Sequence, residues 1–151
     1  MGYVEDLRGL VGHRPVILCG SCGVLVAPDG RILLQQRNEP AARWGLIGGL
    51  MELGESSEQV LIREAQEECG LVLEAQALRL LGVYSGDHLS VAPNGDQFYA
   101  VSVAYVVAGV VAKPRVADGE SLRLAWFEPT ALPANMVPRY AQVVADYLER
   151  R

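Results

Sequence analysis

The sequence predicts an α/β domain in which helices cover a sheet on two sides. Two observations carry that prediction. Apolar strand-like runs stand before and after a strongly helical stretch that Ser56 opens and Gly70 ends, and a second helical stretch begins at Pro138. Half of the 151 residues are hydrophobic, so a chain of this length buries a real core. No linker, internal repeat or second domain is visible, and residues 1–151 are read as one domain.

Residues 1–14 hold a short amphipathic segment, with Tyr3, Val4, Leu7 and Leu10 at helical spacing and Gly12 as its stop. Pro15 opens a strand over Val16–Ala27. Pro28-Asp29-Gly30 is a turn, and Arg31–Gln36 returns as a second strand, which predicts a hairpin. Arg37 ends that pair, and a polar loop runs to Arg43. Trp44–Ile47 is a short apolar strand leading into Gly48-Gly49, where paired glycines let backbone approach a ligand closely.

After the central helix, Leu71–Tyr84 suits a long strand bent near Gly82. Ser85–Asp96 reads as a loop holding Gly86, Asp87, His88 and the strong turn signal Asn94-Gly95. Gln97–Val107 is apolar at odd and even positions alike, the pattern of a central strand buried on both faces. Val110–Ser121 is a second polar loop with Lys113, Arg115, Asp118 and Glu120, and Leu122–Phe127 is the last strand. Pro129 and Pro133 stop it. From Pro138, a good first helical residue, Tyr140, Val143, Val144, Tyr147 and Leu148 form the buried stripe of the final helix.

The net charge of −5 argues against a general binder of nucleic-acid polymers, which would show a basic face. A phosphorylated small molecule stays open, because local arginines and a metal can carry its charge. No stretch reaches the ~18 apolar residues of a membrane span, and no basic region followed by an apolar one opens the chain. A cytoplasmic protein without a membrane partner is expected. Cys19-Gly20-Ser21-Cys22 looks like a redox or zinc half-motif. A separation of three puts its thiols on opposite faces of a strand, and no second Cys pair exists, so all three cysteines read as small buried residues.

Ser56 caps the central helix, with Gln59 placed to close a capping box, and Gly70 supplies a left-handed end. Glu64, Glu67 and Glu68 stand at i, i+3 and i+4 on one face. Like charges at that spacing cost roughly 0.2–0.5 kcal/mol per pair, and a hard divalent cation, Mg²⁺ or Mn²⁺, is the natural group to offset them. Arg37 and Arg43, flanking the loop before Gly48, are candidate phosphate clamps, since a guanidinium matches phosphate oxygens in a fork. Tyr84, His88, Phe98 and Tyr99 are candidates to stack a base.

Gly49, five residues, Glu55, seven residues, then Arg63-Glu64-Ala65-Gln66-Glu67-Glu68-Cys69-Gly70-Leu71 resembles the Nudix box of the Nudix hydrolases at every position. Seven fixed residue types at roughly 6–7% usage each would coincide at about 10⁻⁸ per starting position. One departure lies just outside the box: Ile47 stands where the family usually has Pro.

The resemblance implies an α/β/α sandwich with a mixed central β-sheet. It implies a Mg²⁺- or Mn²⁺-dependent hydrolase that cleaves the phosphoanhydride of a nucleoside diphosphate linked to another moiety. Glu64, Glu67 and Glu68 would be metal ligands, joined by the Gly48 carbonyl, with Gly48 and Gly49 against the substrate. Arg63 would orient a neighbouring carboxylate, and Glu55 would act through water or brace the loop. Glu120, just before the last strand, is a further metal ligand or the general base, and Asp118 competes with it. The partner is a small-molecule nucleoside diphosphate derivative such as ADP-ribose, a nucleotide sugar or a dinucleoside polyphosphate. Alternatives are a (d)NTP pyrophosphohydrolase and a catalytically silent nucleotide-binding module; the full set of box glutamates favours an enzyme. Monomer and homodimer both remain open. Pro93-Asn94-Gly95-Asp96 recurs in some bacterial members, and the sequence alone gives it no role beyond a turn.

Overall fold

The computed structural model describes residues 2–86 and 88–151. Asp87, one of the loop residues singled out above, lies outside the described residues. The elements are α1 (Tyr3–Val11), β1 (Val16–Leu25), β2 (Ile32–Arg37), β3 (Trp44–Gly45), β4 (Ile47–Leu50), α2 (Ser57–Cys69), β5 (Arg79–Tyr84), β6 (Leu89–Val91), β7 (Gln97–Val107), β8 (Ser121–Phe127) and α3 (Pro138–Arg150).

Local chemistry sets the bounds of α2. The Gln59 amide donates to Ser56 Oγ (3.2 Å) and the Ser56 amide donates to Gln59 Oε1 (2.8 Å), so the box closes in both directions. Gly70 ends the helix at φ 69°, a conformation in which a side chain is strained. In α3 Pro138 takes the first turn, and Tyr140, Val143, Val144 and Tyr147 are buried.

The strands form two sheets. In the first, β4, β1, β7 and β5 lie side by side with β6 also on β7; β1 and β7 run parallel and the remaining pairs antiparallel, so the sheet is mixed. The second is antiparallel, in the order β3-β2-β8. Side chains alternate across β1 into two cores. Cys22 and Val24 pack with Tyr140, Val143 and Val144 of α3, while Leu25 packs with Leu61, Ala65 and Cys69 of α2. Helix, sheet and helix are thus stacked as an α/β/α sandwich.

Several expectations need correction. The expected hairpin survives only as the turn and one bridge, Val26↔Ile32; beyond it β1 and β2 part into different sheets. Both strands are buried on both faces over much of their length, and each finds its neighbours elsewhere. The expected strand Trp44–Ile47 is broken at Leu46, so Trp44 pairs in the second sheet and Ile47 in the first, and Gly48-Gly49 lie within β4 rather than in a loop. Only Arg79–Tyr84 of the long run after α2 is a strand, preceded by a 3₁₀ turn over Ala75–Ala77; its register shifts between Leu80 and Gly82. The loop after Tyr84 contains β6. Full burial on both faces holds in β7 only from Ala104 to Val107. Cys22 and Cys69 are buried, but Cys19 is exposed. Helix α1 buries no residue, and Leu10 is 85% exposed.

The reciprocal cap makes α2 sensitive at its first turn. Ser56→Ala should destabilise the protein by about 1 kcal/mol, read as a lower urea midpoint with an unchanged slope. An unaltered midpoint would mean that packing alone sets the start of the helix.

Candidate active site

The site begins where β4 crosses beneath α2. Gly49 pairs with Ser21 of β1, and a Cβ added to it would collide with the Glu64 carboxylate. Glycine at that position lets a helix carboxylate lie directly on strand backbone. Ser21 Oγ donates to the Ser57 carbonyl (2.7 Å), tying β1 to the start of the same helix.

Arg63 is the hub. Its Nε and one terminal nitrogen reach the two Glu55 oxygens at 2.7 and 2.9 Å, a bidentate fork. The other terminal nitrogen donates to Glu64 at 2.7 Å and to Glu67 at 3.3 Å, and the Leu50 carbonyl accepts a further bond at 3.0 Å. Glu55 also accepts from the Glu52 amide (2.8 Å), which fixes the turn after β4. The Arg63 fork holds the Glu55 carboxyl below its ordinary range, and Glu55 in turn pushes the guanidinium up.

The three helix carboxylates differ in their surroundings. Glu67 has its side chain 56% exposed, whereas Glu64 is largely covered and Glu68 is 2% exposed. Burial, then a hydrogen bond with Glu64, then the charges of Glu64, Asp118 and Glu120 push the Glu68 carboxyl up to about 10. Asp118 and Glu120 come near because their loop docks on the end of α2: the Arg115 amide donates to the Cys69 carbonyl and the Ala117 amide to that of Glu68. The Asp118 carboxylate accepts from the Glu120 amide (3.1 Å) and so shapes the loop. Glu120 lines the cleft, with its carboxyl raised by burial, then by Asp118, Glu64 and Glu67.

A cleft of about 420 Å³ opens beside this cluster. Gly48, Gly49, Glu68 and Glu120 line it together with Arg37 and Arg139. It shares Arg37, Glu39, Pro93, Phe98 and Arg139 with a second cavity of about 430 Å³, which Arg43 and His88 also line. Arg37 and Arg43 both pair with Glu39, at 3.0 and 2.6 Å. Tyr84 and His88 line a smaller neighbouring cavity. Tyr99 pairs with Leu89 on the strand face opposite Phe98 and lines none of these spaces.

The structure therefore brings Gly48, Gly49, Glu68, Glu120 and Arg37 to the first cavity, with Glu64 packed on Gly49 and joined through Arg63 to Glu55 and Glu67, while Arg43 lines only the second cavity. Sequence reasoning missed Arg139 and Glu39. A signal for Arg139 exists: it is a cation in the first turn of a helix, where the macrodipole disfavours positive charge, and no acidic residue accompanies it there.

Among the described residues no three His, Cys, Asp or Glu side chains form a ready cage for a metal. The donor chemistry nonetheless fits a hard divalent cation. Glu68 Oε2 is buried without a hydrogen-bond partner among the described residues, and Glu64 and its neighbours Asp118 and Glu120 push the Glu68 carboxyl up, a crowding of carboxylates that a cation would relieve.

The sequence and the fold that carry this carboxylate-faced helix on its glycine strand match known proteins. The chain belongs to the NUDIX domain family, hydrolases of phosphorus-containing anhydrides; the family model matches residues 20–147. It is 31% identical over 128 residues to the human 8-oxo-dGDP phosphatase NUDT18, an alignment that covers 81% of this chain and 36% of that protein. It is 27% identical to the ADP-ribose pyrophosphatase of Methanocaldococcus jannaschii, covering 82% of this chain and 69% of the relative. Among solved structures, the MutT NUDIX hydrolase from Burkholderia pseudomallei superposes with a TM-score of 0.70 at 30% identity, over 88% of this chain and 98% of the other.

The raised Glu68 carboxyl gives a pH signature. Between the ordinary carboxyl value of 4.5 and about 10 the folded chain holds a proton that the unfolded chain has lost, so metal-free stability falls as pH rises through that window. Glu68→Gln, whose amide can donate to Glu64 without titrating, should flatten that fall and raise the metal-free Tm at pH 8 by at least about 2 °C. Scanning calorimetry in chelator measures both. A variant that keeps the wild-type slope would show that Glu68 is ionised in the fold.

Proposed function

We propose that this protein hydrolyses the phosphoanhydride of a nucleoside diphosphate linked to a second moiety, releasing a nucleoside monophosphate and the phosphorylated remainder. One observation carries the reading: the groove has its carboxylates at one end and continues into a second cavity of similar volume, with room for groups on both sides of a diphosphate. The name of the archaeal relative supports it, since ADP-ribose is a nucleoside diphosphate linked to a second moiety; 8-oxo-dGDP, in the name of the human relative, shares the diphosphate alone.

Members of the family use a divalent metal; in this chain Glu64, Glu67 and Glu68 would hold Mg²⁺ or Mn²⁺, with the Gly48 carbonyl and Glu120 as further donors. Bound there, the metal supplies charge stabilisation on the phosphate oxygens and a more acidic water. The chain's own residues do the remaining work. Arg63 keeps Glu64 aimed by holding one of its oxygens while Glu55 anchors the guanidinium from the other side. Glu120, exposed at the rim of the cleft with a raised carboxyl, accepts the proton from the attacking water. Arg37, held by Glu39, faces both cavities and orients the diphosphate oxygens.

A side-by-side panel at equal metal tests the reading. ADP-ribose, nucleotide sugars and dinucleoside polyphosphates should give higher kcat/KM than canonical or oxidised (d)NTPs, turnover should vanish with chelator, and Glu67→Gln should lower kcat by at least ~10²-fold. Preference for a (d)NTP by about tenfold or more overturns the substrate class, and full activity of Glu67→Gln overturns the metal assignment.

The two acidic residues before β8 are separable. Because Glu120 lines the cleft while Asp118 is bonded to the loop backbone, Glu120→Gln should slow the single-turnover chemical step more than Asp118→Asn does. The reverse order would move the proton acceptor to Asp118.

A further inference from the structure

We propose that the second cavity is an anion site for a phosphate that the substrate carries in addition to its diphosphate. The proposal rests on the diphosphate reading above for the other end of the groove, and on the charges around the cavity for this end.

Among the described residues, Arg37, Arg43 and Arg139 line the cavity against one carboxylate, Glu39. Three guanidiniums facing one carboxylate leave two positive charges uncompensated, in a chain whose net charge is −5. Arg37, Arg139 and Glu39 are shared with the first cavity, but Glu68 and Glu120 line only the first and Arg43 only the second, so the second is the more cationic of the two. A cavity that is cationic in an acidic protein selects an anion.

The arrangement is also built for one. Glu39 is 11% exposed in its side chain and bonds to Arg37 and Arg43 at once, which fixes two flexible cations before any ligand arrives. Among the described residues Arg139 pairs with no carboxylate. Its Nε is buried with no hydrogen-bond partner among them, its terminal nitrogen makes a 3.4 Å contact to the Tyr140 hydroxyl, and its guanidinium lies 4.6 Å over the Tyr140 ring. Stacking holds the plane in place and leaves Nε unsatisfied, and a phosphate offers the oxygen it lacks. Its position in the first turn of α3 opposes the helix dipole, an unfavourable placement that a bound anion would reverse. Phosphate is the anion of choice because it offers more acceptor oxygens than a carboxylate to the three guanidiniums that line the cavity.

The selected substrate is thus a phosphorylated one: a nucleoside diphosphate derivative with a further phosphate on a sugar. ADP-ribose and ADP-ribose 2′-phosphate differ by that group alone. Wild-type kcat/KM should favour the phosphorylated member by about tenfold or more, and the ratio should fall below about threefold in Arg139→Gln while Arg139→Lys retains part of it. A purely structural Arg139 would lower both substrates together and leave the ratio intact, which overturns the assignment. So does a wild-type ratio near one, an outcome independent of how any variant folds. Calorimetry on the metal-free protein separates this proposal from the hydrolytic one. Adenosine 2′,5′-bisphosphate should bind about tenfold more tightly than AMP, and Arg139→Gln should remove the difference. That result without turnover on any substrate would sink the proposed reaction and leave the anion site standing; equal affinities would sink the site.

Discussion

Everything in this site hangs on the side chain of Arg63. Three carboxylates on one helical face repel, and a fourth, Glu55, stands beyond the helix N-terminus. One guanidinium touches Glu55, Glu64 and Glu67 and also takes the Leu50 carbonyl, so it joins the helix, the strand beneath it and the turn between them. Surface ion pairs contribute little singly, but a fork with 29% exposure that bonds in four directions is a network. Lys could not replace it, because an ammonium has neither the planar fork nor the number of donors.

The groove exists because the sheet divides. At Leu46 the chain leaves the second sheet and enters the first, and the two sheets spread apart on either side of the β1–β2 turn. The cleft opens in that gap. Gln35 and Arg37 approach it from β2, Gly20 and Ser21 from β1, and Phe98 and Ala100 from β7. A continuous sheet with a β1–β2 hairpin would have paired these edges and left no space between them. The helix supplies charge, but the strand switch supplies room.

This division explains what was legible in the sequence. The bounds of α2 are set by Ser56, Gln59 and Gly70 through contacts within one turn, and the stripe of α3 by a 3.6-residue period, so both could be read locally. The box residues carried the first end of the groove for the same reason: Arg63, Glu64 and Glu67 are neighbours on a helix before they are neighbours in a site. Strand partners are decided by contacts far apart in sequence. The run at Leu71 was apolar enough for a strand but found no neighbour before Arg79, and Cys19 is exposed beside an open space that Tyr3 and Val4 of α1 also line. Arg139 carried a local oddity, a cation in the first turn of a helix, but its neighbours in the cavity, Arg37 and Glu39, lie about a hundred positions away, so the sequence did not tie it to the site.

The turn Pro93-Asn94-Gly95-Asp96 acquires a physical role from the same long-range logic. Asp96 accepts from His13 at 2.7 Å and pairs with Arg8 at 3.5 Å, while Arg8 also donates to the carbonyls of Gly12, Arg14 and Gln97. The turn is thereby fastened to the end of α1. That helix buries no side chain of its own, and its contribution to the fold is this polar latch together with the Tyr3 amide bonded to Glu52. On the other side of the turn, β6 and Pro93 form a wall of the second cavity. Fixing Asp96 therefore braces the wall: a segment that looks like free surface loop in the sequence is held by β7 pairing on one side and by α1 on the other.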